Sequence, residues 1–289
     1  MSDFGVSVAL LPPFDRADAI DTGRLAAHAG DVLKRGADSL TLFGTTGESA
    51  SIGRLERGAG LKALRAADIP AEKIILGLCA PAVADAAAQV AQGVDFGVRD
   101  FLLAPPFYFS PVDDDGLFDW HSALLSQTPE ETRFILYHIP QATGVPLSPP
   151  LVARLAAAFP DRIRAVKDSS GDWQNAVKLL DDKALPVLIG DERLLHRAVR
   201  LGGAGTITGM ANIYPERMAQ IIAHGEEDAA LAETIDRLVS VPIIPGLKLL
   251  LADTMRDDQW ERVRAPLTAL DPAQRATVLD SALREPAHA

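Results

Sequence analysis

Short apolar, β-prone runs recur along this chain at intervals of a size that only a few folds accommodate. They occupy residues 6–11, 39–43, 74–78, 100–104, 133–137, 163–167, 186–189 and 205–208. Their starts lie roughly 20 to 35 residues apart, the length of a βα unit. Between them run alanine- and leucine-rich amphipathic stretches at 22–35, 55–67, 83–93, 116–127, 148–159, 175–180 and 193–201. Ser148-Pro149-Pro150 reads as an N-cap followed by proline at the first helical positions. Gly36, Gly93 and Gly202 close helices. Eight strands alternating with helices leave a doubly wound sheet or a (βα)8 barrel. A dinucleotide-binding sheet opens with G-x-G-x-x-G after its first strand. Here Pro12-Pro13-Phe14-Asp15 stands in that place, so the expected fold is α/β, a (βα)8 TIM barrel. Its site belongs at the C-terminal strand ends.

No strand pattern follows residue 212. Stretches 215–224, 228–241, 246–254, 260–267 and 272–283 read as helices. The expected organisation is a catalytic barrel over 1–212 and a C-terminal helical extension over 213–289.

Composition narrows the function. The net charge of −11 argues against nucleic acid and anionic membrane as partners. No apolar run approaches the ~20 residues that span a bilayer. Met1-Ser2-Asp3-Phe4 does not begin a signal peptide, and Cys79 is the single cysteine, so no intrachain disulfide forms. We expect a cytoplasmic protein. The six histidines show no H-x-x-x-H or H-E-x-x-H spacing, so no metal is expected. Cys79 has no obvious activating neighbour, which argues against a nucleophilic thiol.

Lys167 carries the chemistry. It ends the run Arg164-Ala165-Val166-Lys167, and the polar turn Asp168-Ser169-Ser170-Gly171-Asp172 follows. An amine taken out of water favours its neutral form. A neutral lysine amine attacks a ketone to form a Schiff base. Of the seven lysines, five lie in solvated faces or turns, and Lys248 is the rival buried one, on a helix where it would snorkel or pair.

Other strand ends add polar groups. Gly44-Thr45-Thr46-Gly47-Glu48-Ser49 exposes backbone amides and two hydroxyls that suit a carboxylate or phosphate, although it also reads as a helix N-cap loop. Tyr137-His138-Ile139-Pro140 puts a phenol at a barrel mouth, where it relays protons or serves as a core tyrosine. Pro105-Pro106-Phe107-Tyr108-Phe109 reads as packing or an interface. Gly190-Asp191-Glu192-Arg193 and Gly202 to Gly209 allow close backbone approach to a ligand, or merely serve barrel turns.

Taken in order, these motifs resemble the dihydrodipicolinate synthase / N-acetylneuraminate lyase family of pyruvate-dependent class I aldolases. The resemblance runs from about Val6 into the C-terminal helices. It implies a homotetramer built as a dimer of dimers, with no cofactor beyond a covalent imine on Lys167. It implies that Lys167 binds the ketone carbon of pyruvate, that Thr45 and Thr46 bind its carboxylate, and that Tyr137 relays protons. Tyr108 matches a tyrosine that members lend across a subunit interface to complete a Tyr–Thr–Tyr relay with a threonine, here placed at Thr46. Gly190 and Ile207 line the pocket through backbone groups.

One position departs from the pattern. Dihydrodipicolinate synthases carry an arginine for the incoming semialdehyde where this chain has Ala142, and alanine makes no bidentate carboxylate contact. Aldolases for 2-keto-3-deoxy sugar acids, and sialic acid lyases, are closer there. The latter hold sugar hydroxyls with acidic residues after strand seven, where Glu192 falls. Arg193 replaces a second such residue and suits a distal carboxylate, as in a 4-hydroxy-2-oxoglutarate-type substrate. The expected activity is a lyase joining or separating pyruvate and an aldehyde. The alternatives are 4-hydroxy-tetrahydrodipicolinate synthase, a 2-oxo acid dehydratase, and a non-catalytic 2-oxo-acid-binding relative.

Overall fold

A computed structural model describes residues 4–283. Eight parallel strands close into a barrel in sequence order: β1 (Gly5–Ala9), β2 (Ser39–Leu42), β3 (Ile74–Leu78), β4 (Asp100–Leu103), β5 (Arg133–His138), β6 (Ile163–Asp168), β7 (Val187–Ile189) and β8 (Gly205–Thr208). β1 and β8 complete the ring, with Val6 opposite Thr206 and Val8 opposite Thr208. Helices α1 (Thr22–Lys34), α2 (Arg54–Ala66), α3 (Val83–Asp95), α4 (Asp114–Ser126), the single turn α5 (Pro140–Thr143), α6 (Pro149–Ala158), α7 (Trp173–Asp182) and α8 (Glu192–Arg200) lie between the strands. Then come α9 (Pro215–His224), α10 (Ala229–Val239), α11 (Ile243–Met255) and α12 (Pro272–Leu279). No helix among the described residues is long and apolar enough to cross a membrane.

The two-residue period of the strands divides the core. Ala9, Ile75, Leu102, Ile135, Tyr137, Ala165, Leu188 and Ile207 form a small cluster inside the barrel. Their neighbours Val8, Leu76, Phe101, Phe134, Leu136, Val166 and Ile189 face the helices in the larger cluster. Along β6 the alternation puts Ala165 inward, Val166 outward and Lys167 inward. The chain thereby carries one amine to the C-terminal mouth of the barrel.

The C-terminal segment differs from expectation at 260–267. Only the 3-10 turn Asp258–Glu261 forms, and Arg262 is extended at φ −68°, ψ 128°. The Arg264 amide donates to the Glu48 carboxylate at 3.1 Å, not to a helical carbonyl. Pro266 has no amide to donate. The last helix also stops at Leu279 instead of 283. By contrast, α11 starts ahead of Pro245, which sits in the first turn where a missing amide leaves no helical bond unmade.

Candidate active site

Lys167 is 5 % exposed, at the end of β6 in register with Tyr137 on β5. Its Nζ lies 4.3 Å from the centroid of the Tyr137 ring. Gly190 makes this possible. A Cβ there would stand 3.0 Å from Lys167 Cε and 1.9 Å from Ser169 Oγ, so the lysine stem runs through space that only glycine leaves. The Gly190 amide donates to the Asp168 carbonyl at 2.8 Å, and the Ser169 amide to the His138 carbonyl at 2.9 Å. Asp168 caps the turn that follows, accepting from the Ser170 amide at 2.8 Å and from Asn175 Nδ2 at 2.9 Å. The polar turn after Lys167 is thus held by backbone and carboxylate bonds that hold the amine in place.

Two cavities meet at this mouth. One, of about 420 Å³, is lined by Lys167, Thr45, Thr46, Tyr137, Ser169, Gly190, Glu192, Arg193 and Ile207, with Leu247 and other aliphatics from α10 and α11. The other, of about 250 Å³, is mainly apolar and lined by Leu78, Cys79, Leu102, Ala104, Phe107, Ala142 and Leu267. Thr45, Tyr137, Ile139 and Ile244 border both. The Thr45 and Tyr137 hydroxyls lie 3.3 Å apart on this partition. It is therefore Thr45 that meets Tyr137. Thr46 packs toward β8, with its Cγ2 3.4 Å from where a Gly209 Cβ would be.

Glu192 is half-buried and accepts from the Thr208 hydroxyl. Burial pushes its carboxyl up to about 7, with the Asp191 charge adding to the rise and the Met210 amide and the Lys167 charge opposing it. Arg193 is already engaged, with Nη2 2.7 Å from Asp191 and Nη1 3.0 Å from Asp236. The bonds to Asp191 hold its guanidinium above its ordinary range. The free cation that a distal substrate carboxylate would need is thereby neutralised twice over.

Tyr108 does not join these residues in its own chain. It stands at φ +90°, 87 % exposed, edge-on to Phe109 at 5.6 Å. Lys248, the rival amine, is fully buried and ion-paired to Glu48. Burial lowers its ammonium to about 8 against the attraction of that carboxylate. With no exposed surface, it offers a ketone no approach. His138 faces away from the cavity. Its Nδ1 accepts from the Leu147 amide at 3.0 Å, and burial lowers its basicity.

Sequence reasoning missed several supporting groups. Ser169 lines the cavity and Gln141 donates to its carbonyl at 2.6 Å. Thr208 orients Glu192. Only the polar composition of the turn after Lys167 hinted at Ser169; Thr208, sixteen residues beyond Glu192, required the closed barrel to be seen.

Comparison with known proteins places this geometry among relatives. Residues 3–280 match the dihydrodipicolinate synthetase family model. The chain is similar to an uncharacterized DapA-like lyase of Chloroflexus aurantiacus, 31 % identical over 92 % of this chain and 91 % of that one. It is similar to a 4-hydroxy-tetrahydrodipicolinate synthase of Corynebacterium aurimucosum, 30 % identical over 92 % and 89 %. Among solved structures, a dihydrodipicolinate synthase from Agrobacterium tumefaciens is 42 % identical, superposes with a TM-score of 0.94, and is matched over 98 % of this chain and 100 % of that one.

Proposed function

The chain belongs to the dihydrodipicolinate synthetase family, and from that premise we propose that it makes or breaks a carbon–carbon bond between pyruvate and an aldehyde through an imine on Lys167. Members of this family are Schiff-base lyases. The observation that carries the residue assignment is the one lysine amine, among the described residues, that lines the cavity at the barrel mouth, 4.3 Å from the Tyr137 ring and sharing that cavity with Thr45 and Thr46.

The Lys167 nitrogen attacks C2 of pyruvate, whose carbonyl oxygen gains a proton to give a carbinolamine. Loss of that oxygen as water leaves an iminium ion. The iminium withdraws electrons from C3, a proton leaves, and the resulting enamine attacks the aldehyde carbon while the aldehyde oxygen is protonated. Hydrolysis then releases the product and restores the amine. Cleavage runs the same steps backward. Tyr137 and Thr45, hydroxyl to hydroxyl at 3.3 Å, provide the proton path. The amides and hydroxyl around Thr46 hold the pyruvate carboxylate.

The relay ends at Thr45 unless a further group enters. The apolar cavity opens on the far side of Thr45, and Tyr108 projects from the surface. Both features support an oligomer in which each chain's Tyr108 enters its partner's apolar cavity, with the dimer-of-dimers tetramer as the expected form.

For the aldehyde, a hydroxylated, sugar-acid-derived partner is favoured. Glu192, held near neutral by burial and bonded to Thr208, presents a carboxyl to hydroxyl groups. A dicarboxylic partner of the 4-hydroxy-2-oxoglutarate type is less well served, because Asp191 and Asp236 occupy Arg193. The second reading, 4-hydroxy-tetrahydrodipicolinate synthase, draws support from the 42 % identical Agrobacterium structure described as a dihydrodipicolinate synthase. Against it, Ala142 lies at the cavity edge with no cation in that position. Turnover of pyruvate with glyceraldehyde and with aspartate semialdehyde, measured side by side, separates the readings. A higher kcat/KM for glyceraldehyde supports the first, and the reverse order supports the second.

A further inference from the structure

The turn that carries Thr45 and Thr46 is gripped from outside the barrel. The Glu48 amide donates to the Thr45 carbonyl at 3.0 Å, and the Ser49 amide to Gly44 at 3.3 Å. Glu48 itself sits in the left-handed region at φ +50°, a conformation that a non-glycine residue keeps only when its surroundings impose it. Its side chain explains the imposition. The Glu48 carboxylate, 3 % exposed, is ion-paired to Lys248 of α11, which is 0 % exposed. It also accepts from the Arg264 amide at 3.1 Å. Lys248 donates onward to the Arg262 carbonyl and lies 4.3 Å from the Phe14 ring centroid. The Arg264 guanidinium donates to the Ser51 carbonyl at 3.0 Å and to Glu56 at 2.9 Å. Both sides of the turn are therefore tied to the segment that runs from α11 to residue 264.

A buried ion pair is a poor source of stability, because desolvating two charges offsets their attraction and an apolar pair of similar volume does as well or better. What the charges add is direction. The carboxylate must face Lys248, and that fixes the amide that closes the turn at Thr45. The adjacent residue reaches the site from the same helix: Leu247 lines the Lys167 cavity, and both Leu247 and Thr46 crowd Gly209.

We infer that Glu48 and Lys248 are positioning residues, through which the C-terminal segment sets the Thr45–Thr46 turn against Tyr137 and Lys167. The α11 helix is then part of the active site's construction as well as of the packing. In the proposed reaction the effect appears on pyruvate binding and on proton relay, since displacing such groups by about 1 Å lowers rates by up to ~10²-fold.

The test uses the full chain carrying Lys248→Met, and the double variant Glu48→Gln, Lys248→Met. The double variant leaves no buried charge unpaired, so it folds even where the single one does not. The readings are melting temperature, KM and kcat for pyruvate, and hydrogen exchange at the Glu48 and Ser49 amides. A positioning role gives a double variant with near-native melting temperature, a KM for pyruvate raised about tenfold to a hundredfold, and faster exchange at those two amides. Native exchange at both amides in the double variant overturns the inference, as does a native KM. The exchange reading needs no substrate. If the unaltered protein formed no adduct with pyruvate, the reading of the reaction would fail while the positioning claim would still be decided.

Discussion

The Thr45 and Tyr137 hydroxyls lie 3.3 Å apart, at the boundary between the cavity that holds Lys167 and a second, apolar one. In the proposed reaction this pair delivers the proton that the carbinolamine oxygen gains before it leaves as water. Tyr137→Phe keeps the ring beside Lys167 and removes only the hydroxyl. Its kcat is expected to fall by about 10²–10⁴-fold, the usual contribution of a positioned acid–base group. Pyruvate still forms an adduct, more slowly, and stopped-flow or quenched trapping reads the rate.

Tyr108 is 87 % exposed and lies outside its own Lys167 cavity. If it serves a neighbour, Tyr108→Phe lowers turnover without changing oligomeric mass. Mixing Tyr108→Phe subunits with Lys167→Ala subunits then restores part of the activity, because some sites receive an intact lysine and an intact tyrosine. Unchanged activity in Tyr108→Phe alone removes it from the mechanism.

In the proposed reading of the aldehyde, Glu192 is the group whose ionisation bears on substrate choice. Its carboxyl is neutral below about 7 and charged above. Glutamine mimics the neutral form. Glu192→Gln is expected to retain kcat/KM for a hydroxylated aldehyde at pH 6 and to show a flatter KM between pH 6 and 8 than the unaltered enzyme, whose KM is expected to change over that range. Glu192→Ala loses the contact at every pH. KM measured across that range for all three proteins checks this.

Stability depends on pH through a different residue. His121 is fully buried in α4, its Nδ1 2.6 Å from the Leu117 carbonyl and its Nε2 without a hydrogen-bond partner. Burial holds its pKa at about 4, against about 6.5 in an unfolded chain. Between these values the unfolded chain binds the extra proton, so stability is lost as pH falls from 6.5 toward 4. The contribution reaches roughly 3 kcal/mol. His28, buried and likewise lowered, adds in the same direction. Urea unfolding at pH 7 and pH 4.5 should show a smaller loss for His121→Gln than for the unaltered protein.

The barrel was readable because its strands are short, apolar and evenly spaced, and because Lys167 ends one of them. The distinction between Thr45 and Thr46 was not readable: adjacent threonines look alike in sequence, and only the curvature of the closed barrel turns one toward Tyr137. Arg193 looked available for a substrate because its partners are Asp191, two residues away, and Asp236 on a helix more than forty residues later. Glu48 was read as part of a polar loop, and Lys248 as a helix lysine that would snorkel or pair. Their pairing joins residues two hundred positions apart, which no local pattern encodes. Residues 260–267 have helical composition, yet the Arg264 amide is drawn to Glu48 and the segment forms no α-helix. For Lys248, and for residues 260–267, a polar contact to Glu48 from far along the chain overrode the local preference.

We propose that Lys167, alone among the seven lysines, forms an imine with pyruvate. Borohydride reduction in the presence of pyruvate, followed by intact-mass and peptide mass spectrometry, measures it directly. One reduced adduct per chain is expected, on the peptide containing Lys167, and none in Lys167→Ala. No adduct, or an adduct carried by Lys248 or a surface lysine, would contradict it.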